Sequence, residues 1–129
     1  MRTVQPFHIM VTDINHNVRD LLKRELENEG YSVFCVRNGM DAYRSICDAG
    51  QVDLVILDPE LLLPYGHSLF AGILKNNPAL QIVIHSYQEF TRGLKTGANI
   101  HIIEKNATSI THLKEIIRAC SRQMPGNQA

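Results

Sequence analysis

The 129-residue sequence predicts an α/β fold in which a parallel sheet of five strands is covered by helices on both faces. Two observations carry this prediction. Short apolar runs alternate along the chain with stretches whose apolar residues recur at helical spacing. The clearest of the runs, Val52–Leu57 (VDLVIL), is almost continuously apolar, as a central strand buried on both faces must be.

Phe7–Thr12 (FHIMVT) follows Pro6 and reads as the first buried strand. Asn15 and Asn17 offer N-cap chemistry, since a short amide oxygen can accept from the free N–H groups of a helix start. Val18, Leu21, Leu22 and Leu26 continue at helical spacing, and Gly30 stops the helix. Tyr31–Val36 is the second strand, and Asn38-Gly39 turns the chain. Ala42, Tyr43, Ile46 and Cys47 mark a second helix that ends at Gly50. After the third strand comes a loop carrying Pro59, Pro64 and Gly66, then a third helix with Leu69, Phe70, Ile73 and Leu74, stopped before Pro78. Gln81–His85 is the fourth strand. Gln88–Thr96 has few apolar residues and supports only a short, poor helix. Gly97-Ala98-Asn99 turns into the fifth strand, Ile100–Glu104. Leu113, Ile116, Ile117 and Cys120 share one face of the last helix.

These elements make one domain over residues 1–123, with 124–129 a disordered tail. Right-handed crossovers are nearly obligatory in parallel sheets. The expected solution is a (βα)5 flavodoxin-like three-layer sandwich with strand order 2-1-3-4-5. Ligands of such sheets bind at the carboxyl ends of the strands where the order reverses, here between the first and third strands.

Composition excludes several function classes. Hydrophobic residues make up 44% of the chain, too many for a disordered segment. The 13 Lys and Arg balance the 13 Asp and Glu, so the basic excess of a nucleic-acid binder is missing. Cys35, Cys47 and Cys120 are odd in number, widely spaced and set in apolar runs, which suits reduced core cysteines in a reducing compartment. No signal-peptide core and no apolar run of membrane-spanning length is present, so a cytoplasmic location without membrane contact is expected.

The strand ends carry the chemistry. Asp13 directly follows the first strand and Asp58 the third, which the fold sets side by side. Ser86 ends the fourth strand and Lys105 the fifth. Each alone is an ordinary cap or turn residue. Together they set two acids, a hydroxyl and an ammonium on one rim. Two close carboxylates repel unless a proton or cation sits between them. A hard, oxygen-liganded ion such as magnesium suits them, and a lysine and serine nearby can hold an anionic phosphoryl group. The constellation reads as a carboxylate that accepts a phosphoryl group with metal assistance.

At this point the chain resembles the receiver domain of two-component response regulators over nearly its whole length. Ile9–Arg19 (IMVTDINHNVR) is similar to that family's first strand and helix start, and Val52–Asp58 (VDLVILD) to its phosphoacceptor strand. Gly66, Ile82–Ser86 (IVIHS), Gly97-Ala98-Asn99 and Lys105 match its loop glycine, fourth strand, final turn and lysine. The resemblance implies a phosphorelay in which a histidine kinase or phosphotransfer protein passes a phosphoryl group to Asp58. Magnesium would be held by Asp13, Asp58 and Glu60, and Ser86 and Lys105 would contact the phosphoryl group. A downstream protein partner would then be engaged, with a homodimer left open. The domain would not be an enzyme. A haloacid-dehalogenase-type hydrolase is set aside because the residue two after Asp58 is Glu60 rather than a second aspartate, and the chain has no cap domain.

Departures from the family pattern predict a weakened site. Ile14 stands where the family has a second, directly metal-binding acid. Asn106 replaces the usual proline after Lys105, so a trans bond is expected there. Tyr87 follows Ser86 where a small residue is usual, and its ring could crowd the pocket. The segment between Ser86 and Gly97 is short, which remodels the usual partner surface. His101 occupies the place of the family's switch aromatic, and the spacing from Gly97 to Lys105 is one residue longer than usual. The other histidines, His85 among them, read as surface or satisfied strand residues. A phosphorylatable receiver and a phosphorylation-independent pseudo-receiver acting as a protein-interaction module are the two readings that remain.

Overall fold

Five runs rich in β-branched residues pair into one parallel sheet. They are β1 (His8–Thr12), β2 (Ser32–Val36), β3 (Leu54–Leu57), β4 (Gln81–Ser86) and β5 (Ile100–Glu104), in the order β2-β1-β3-β4-β5. The expected topology is therefore the observed one. The computed structural model describes residues 6–49, 52–62, 71–73, 75, 77–91 and 96–123. The helices are α1 (His16–Asn28), α2 (Gly39–Ala49), α3 (Gln88–Thr91) and α4 (Ser109–Gln123), with a 3-10 turn at Pro59–Leu62. Residues 71–73 and 75 are helical. The expectations placed on Gly50, Pro64, Gly66, Leu69, Phe70, Leu74, residues 92–95, the tail 124–129 and the side chain of Cys47 lie outside what is described.

Alternation of side chains along each strand sends two separate apolar sets to the two faces. Ile9, Val11, Ile56, Val83 and Ile103 pack with Leu22 and Leu26 of α1 and Leu113 and Ile117 of α4. Met10, Val55, Leu57, Ile82 and Ile84 pack on the other face with Ala42 and Ile46 of α2 and with Ile73. β1, β3 and β4 lie inside the sheet and are buried on both faces, which is why their sequences read as unbroken apolar runs.

Local chemistry sets the ends of α1. Asn15 is its N-cap, and its side-chain oxygen accepts from the N–H groups of Asn17 at 2.8 Å and Val18 at 3.3 Å. Beyond its last turn Gly30 takes φ +98°, a left-handed conformation that costs glycine little. α1 therefore begins just past the end of β1, with Asp13 and Ile14 in the tight connection between them.

Candidate phosphoacceptor pocket

The pocket is built on a stitch between β1 and β3. Thr12, the last residue of β1, donates its hydroxyl to the Ile56 carbonyl at 3.0 Å and accepts the Asp58 N–H at 3.1 Å. Both bonds are buried, so the backbone around Asp58 is fixed to β1 by a side chain as well as by the ladder. Asp13 and Asp58 follow directly, each only 1% exposed. Each uses one carboxylate oxygen to hold its own loop: Asp13 Oδ1 accepts from Asn15 N at 2.9 Å, and Asp58 Oδ1 from Glu60 N at 3.0 Å. The connection after Asp13 is tied further by Arg19, whose guanidinium donates to the carbonyls of Asp13 at 2.6 Å and Ile14 at 3.2 Å.

The remaining oxygens point at one cation. Lys105 Nζ lies 2.8 Å from Asp13 Oδ2 and 2.8 Å from Asp58 Oδ2. The expectation that both acids share one pocket with Lys105 is met. Burial disfavours the Lys105 ammonium, but the two carboxylates beside it outweigh that and raise its pKa above the ordinary lysine value. The Lys105 N–H also donates to the Ser86 carbonyl at 2.9 Å, which ties the end of β5 to the end of β4. Ser86 is 1% exposed and its hydroxyl has no hydrogen-bond partner among the described residues. Tyr87 lies over the ammonium, 5.3 Å from ring centroid to Nζ, with half its surface in solvent. Ile14 is likewise exposed beside the pocket.

The donor set fits a divalent cation poorly. Asp13 and Asp58 are hard oxygen ligands of the right kind. Among the described residues, however, no three His, Cys, Asp or Glu side chains gather closely enough to hold a metal. Glu60 gives the pocket its backbone N–H, and its carboxylate does not complete a trio with Asp13 and Asp58. The Ile14 side chain brings no oxygen. Both inward-facing carboxylate oxygens are already paired with Lys105.

His101 is not placed where a switch role would need it. It is paired with Val83 and lies on the α4 side of the sheet, with Nε2 3.3 Å from Gln81 Oε1. Side-chain alternation along β4 puts Ser86 on the opposite face, with Ile82 and Ile84. The β5 residue packed on that face is Ile102. The extra residue between Gly97 and Lys105 is the physical reason: counting from Gly97 gives His101, counting back from Lys105 gives Ile102, and one residue in a strand changes the face.

Two contributors were missed in the sequence. Thr12 looked like a plain strand end, and only its cross-strand neighbours reveal the stitch. His85 looks in the sequence like an ordinary strand histidine, yet it is 4% exposed and bonded through Nε2 to Ser109 Oγ at 3.0 Å. Burial, with a further contribution from the positive Lys105, pushes its pKa down to about 4, so the ring is neutral at pH 7. A buried histidine in an apolar run, two residues before Tyr87, was the available signal.

Comparison with known proteins gives a consistent picture. The model of the family described as "Response regulator receiver domain" matches residues 9–118. The transcriptional regulatory protein GlrR of Escherichia coli is 34% identical over 80 residues, covering 62% of this chain and 18% of that protein. The chain thus spans less than half the length of the curated relatives it matches. Among solved structures, the response regulator TrrA of Thermotoga maritima in complex with Mg2+–BeF is 29% identical, with a TM-score of 0.73 over 88% of this chain and 98% of that one. The complex of the histidine kinase ThkA with TrrA matches at 27% identity and a TM-score of 0.71, over 88% of this chain and 97% of that one. Among the described residues, no helix is long and apolar enough to cross a membrane.

Proposed function

The chain belongs to the response regulator receiver family, and on that premise we propose that Asp58 accepts a phosphoryl group from a histidine kinase or phosphotransfer protein in a site whose resident cation is Lys105. The observation that carries this reading is the position of Lys105 Nζ, 2.8 Å from the inward oxygens of both Asp13 and Asp58. A receiver must bring an anionic donor to a pocket of carboxylates, and a positive charge has to offset that repulsion. Lys105 supplies it from within the chain. In the transfer, Asp58 Oδ2 attacks phosphorus, the bond to the donor nitrogen breaks, and the histidine leaves with its electron pair. Lys105 then faces the new phosphoryl oxygens, and the Ser86 hydroxyl, which has no partner among the described residues, can donate to them. Magnesium is bound weakly, because the pocket has two converging carboxylates and an apolar Ile14. The phosphorylated domain would change its affinity for a downstream protein partner.

The pseudo-receiver reading is favoured by one observation: without any ligand each carboxylate is held by a backbone N–H and by the Lys105 ammonium, which hydrogen-bonds Asp58 Oδ2 and meets Asp13 Oδ2 as an ion pair only. The two readings separate in a labelling experiment. The native chain, Asp58→Asn and Ile14→Asp are incubated with acetyl phosphate, with and without magnesium, and analysed by intact mass. Slow, weakly magnesium-dependent labelling of the native chain, lost in Asp58→Asn and accelerated by magnesium in Ile14→Asp, supports the phosphoacceptor. Labelling of Ile14→Asp alone would make the native domain a pseudo-receiver. Labelling that survives Asp58→Asn would overturn the assignment of Asp58.

A further inference from the structure

We propose that His85 is a positioning residue of the pocket: acting through Ser109, it pins the β5–α4 turn so that Lys105 lies across Asp13 and Asp58. The proposal rests on the pocket described above and concerns how its lysine is held. The turn from Lys105 to Ser109 has no proline to restrict its backbone, since Asn106 follows the lysine. Its order must come from hydrogen bonds. One set is local: the Asn106 side-chain oxygen accepts from Thr108 N at 2.9 Å and Thr108 Oγ1 at 2.9 Å. These bonds shape the turn but do not attach it to the sheet.

His85 makes the attachment. Ser109 Oγ donates to the Asn106 carbonyl at 2.9 Å, and Ser109 N donates to the same oxygen at 3.2 Å. The serine has one hydroxyl proton and spends it on Asn106, so toward His85 Nε2 at 3.0 Å it is the acceptor. His85 is therefore the Nε2–H tautomer. The chain of bonds runs from β4, through the imidazole and the serine, to the carbonyl of the residue next to Lys105. His85 and Ser109 are each only 4% exposed, so water does not readily replace either bond. Together with the Lys105 N–H bond to Ser86, the turn is fixed to β4 at both of its ends. The low pKa of the buried ring keeps it neutral, leaving Nε2 as its one donor.

The test reads the lysine directly. The rate at which a small amine-acylating reagent modifies each lysine is followed by peptide mass spectrometry in the full chain, with Lys23 and Lys114 as internal references. The variants are His85→Leu, Ser109→Ala and His85→Gln, studied where circular dichroism shows each to be fully folded. His85→Leu and Ser109→Ala should each accelerate modification of Lys105 by about fivefold, the factor corresponding to one lost hydrogen bond of ordinary strength. Lys23 and Lys114 should not change, and His85→Gln, whose amide can donate to Ser109, should restore protection. A merely structural histidine would instead raise all lysines together or none. Unchanged Lys105 reactivity in Ser109→Ala, which suits a helix and keeps His85 in place, overturns the proposal even if His85→Leu does not fold. The result is independent of Asp58 labelling. Failure to label sinks the phosphoacceptor and leaves His85 as it stands, whereas a Lys105 that stays as protected in Ser109→Ala as in the native chain sinks this inference alone.

Discussion

Replacing Lys105 with methionine keeps the aliphatic stem and removes the charge between Asp13 and Asp58. The consequence follows from their burial: the lysine side chain is 13% exposed and each carboxylate side chain 2%. Breaking a buried ion pair by deleting one partner costs about 3–5 kcal/mol, because the other charge stays behind without compensation. Here two like charges are left, but the pocket mouth admits some water, so we expect the lower end, about 3 kcal/mol. For a domain of this size that lowers Tm by about 10 °C. The loss should also be conditional on the cation supply. With the ammonium gone, Asp13 and Asp58 offer two free inward oxygens to a divalent ion. Magnesium at roughly 100 times its Kd would return about 2.7 kcal/mol to the folded state. Urea denaturation at pH 7, with and without magnesium, measures both quantities. The native chain should hardly respond to magnesium, whereas Lys105→Met should recover most of its lost stability. A variant as stable as the native chain without magnesium would refute the claim that Lys105 is the resident cation. Equal magnesium stabilisation of the two proteins would refute it as well.

Two further outcomes follow from buried polar groups. His85 has a folded pKa of about 4 against an ordinary value of 6.5, so between those values the unfolded chain binds more protons and stability falls as the pH falls. From pH 7 to pH 5 the loss due to His85 is about 2 kcal/mol. It should be missing from the stability difference between those pH values in His85→Leu, and an unchanged pH slope in that variant would show that another group titrates. Thr12→Val keeps the shape of the side chain but leaves the buried Ile56 carbonyl and Asp58 N–H without a partner. It should cost about 1–3 kcal/mol in chemical denaturation, and a loss well under that range would mean that the stitch is not holding β3.

The order and type of the strands were legible because a fully covered parallel sheet imposes a simple rule. β1, β3 and β4 have no solvent face, so their sequences cannot alternate, and continuous apolar runs betray them. The start of α1 was legible for a local reason, the Asn15 cap, and its end for another, the left-handed Gly30. The face that a β5 residue presents was not legible. Gly97 and Lys105 are both credible anchors, they disagree by one residue, and hydrophobicity cannot arbitrate when Ile100, Ile102 and Ile103 surround His101. Only pairing with β4 decides it, and pairing is a non-local property.

The same limit explains how much of the pocket could be read. Asp13, Asp58, Ser86 and Lys105 announce themselves by ending strands, because topology brings strand ends together. Thr12 and His85 act through partners 44 and 24 residues away, at separations where the sequence carries no local signal. The sequence does show that the Ile14 side chain lacks an oxygen, but not what the rest of the pocket does about it. Asp13, Asp58 and Lys105 together carry one net negative charge, and an acid at position 14 would add a second. A pocket with that extra charge calls for a divalent ion to neutralise it, whereas here the one ammonium offsets half of the carboxylate charge and a single negative charge is left. The apolar residue and the bridging lysine are thus two parts of one electrostatic arrangement. Restoring the acid with Ile14→Asp should therefore shift the pocket toward magnesium, with calorimetric titration of the ion into both proteins as the measurement that checks it.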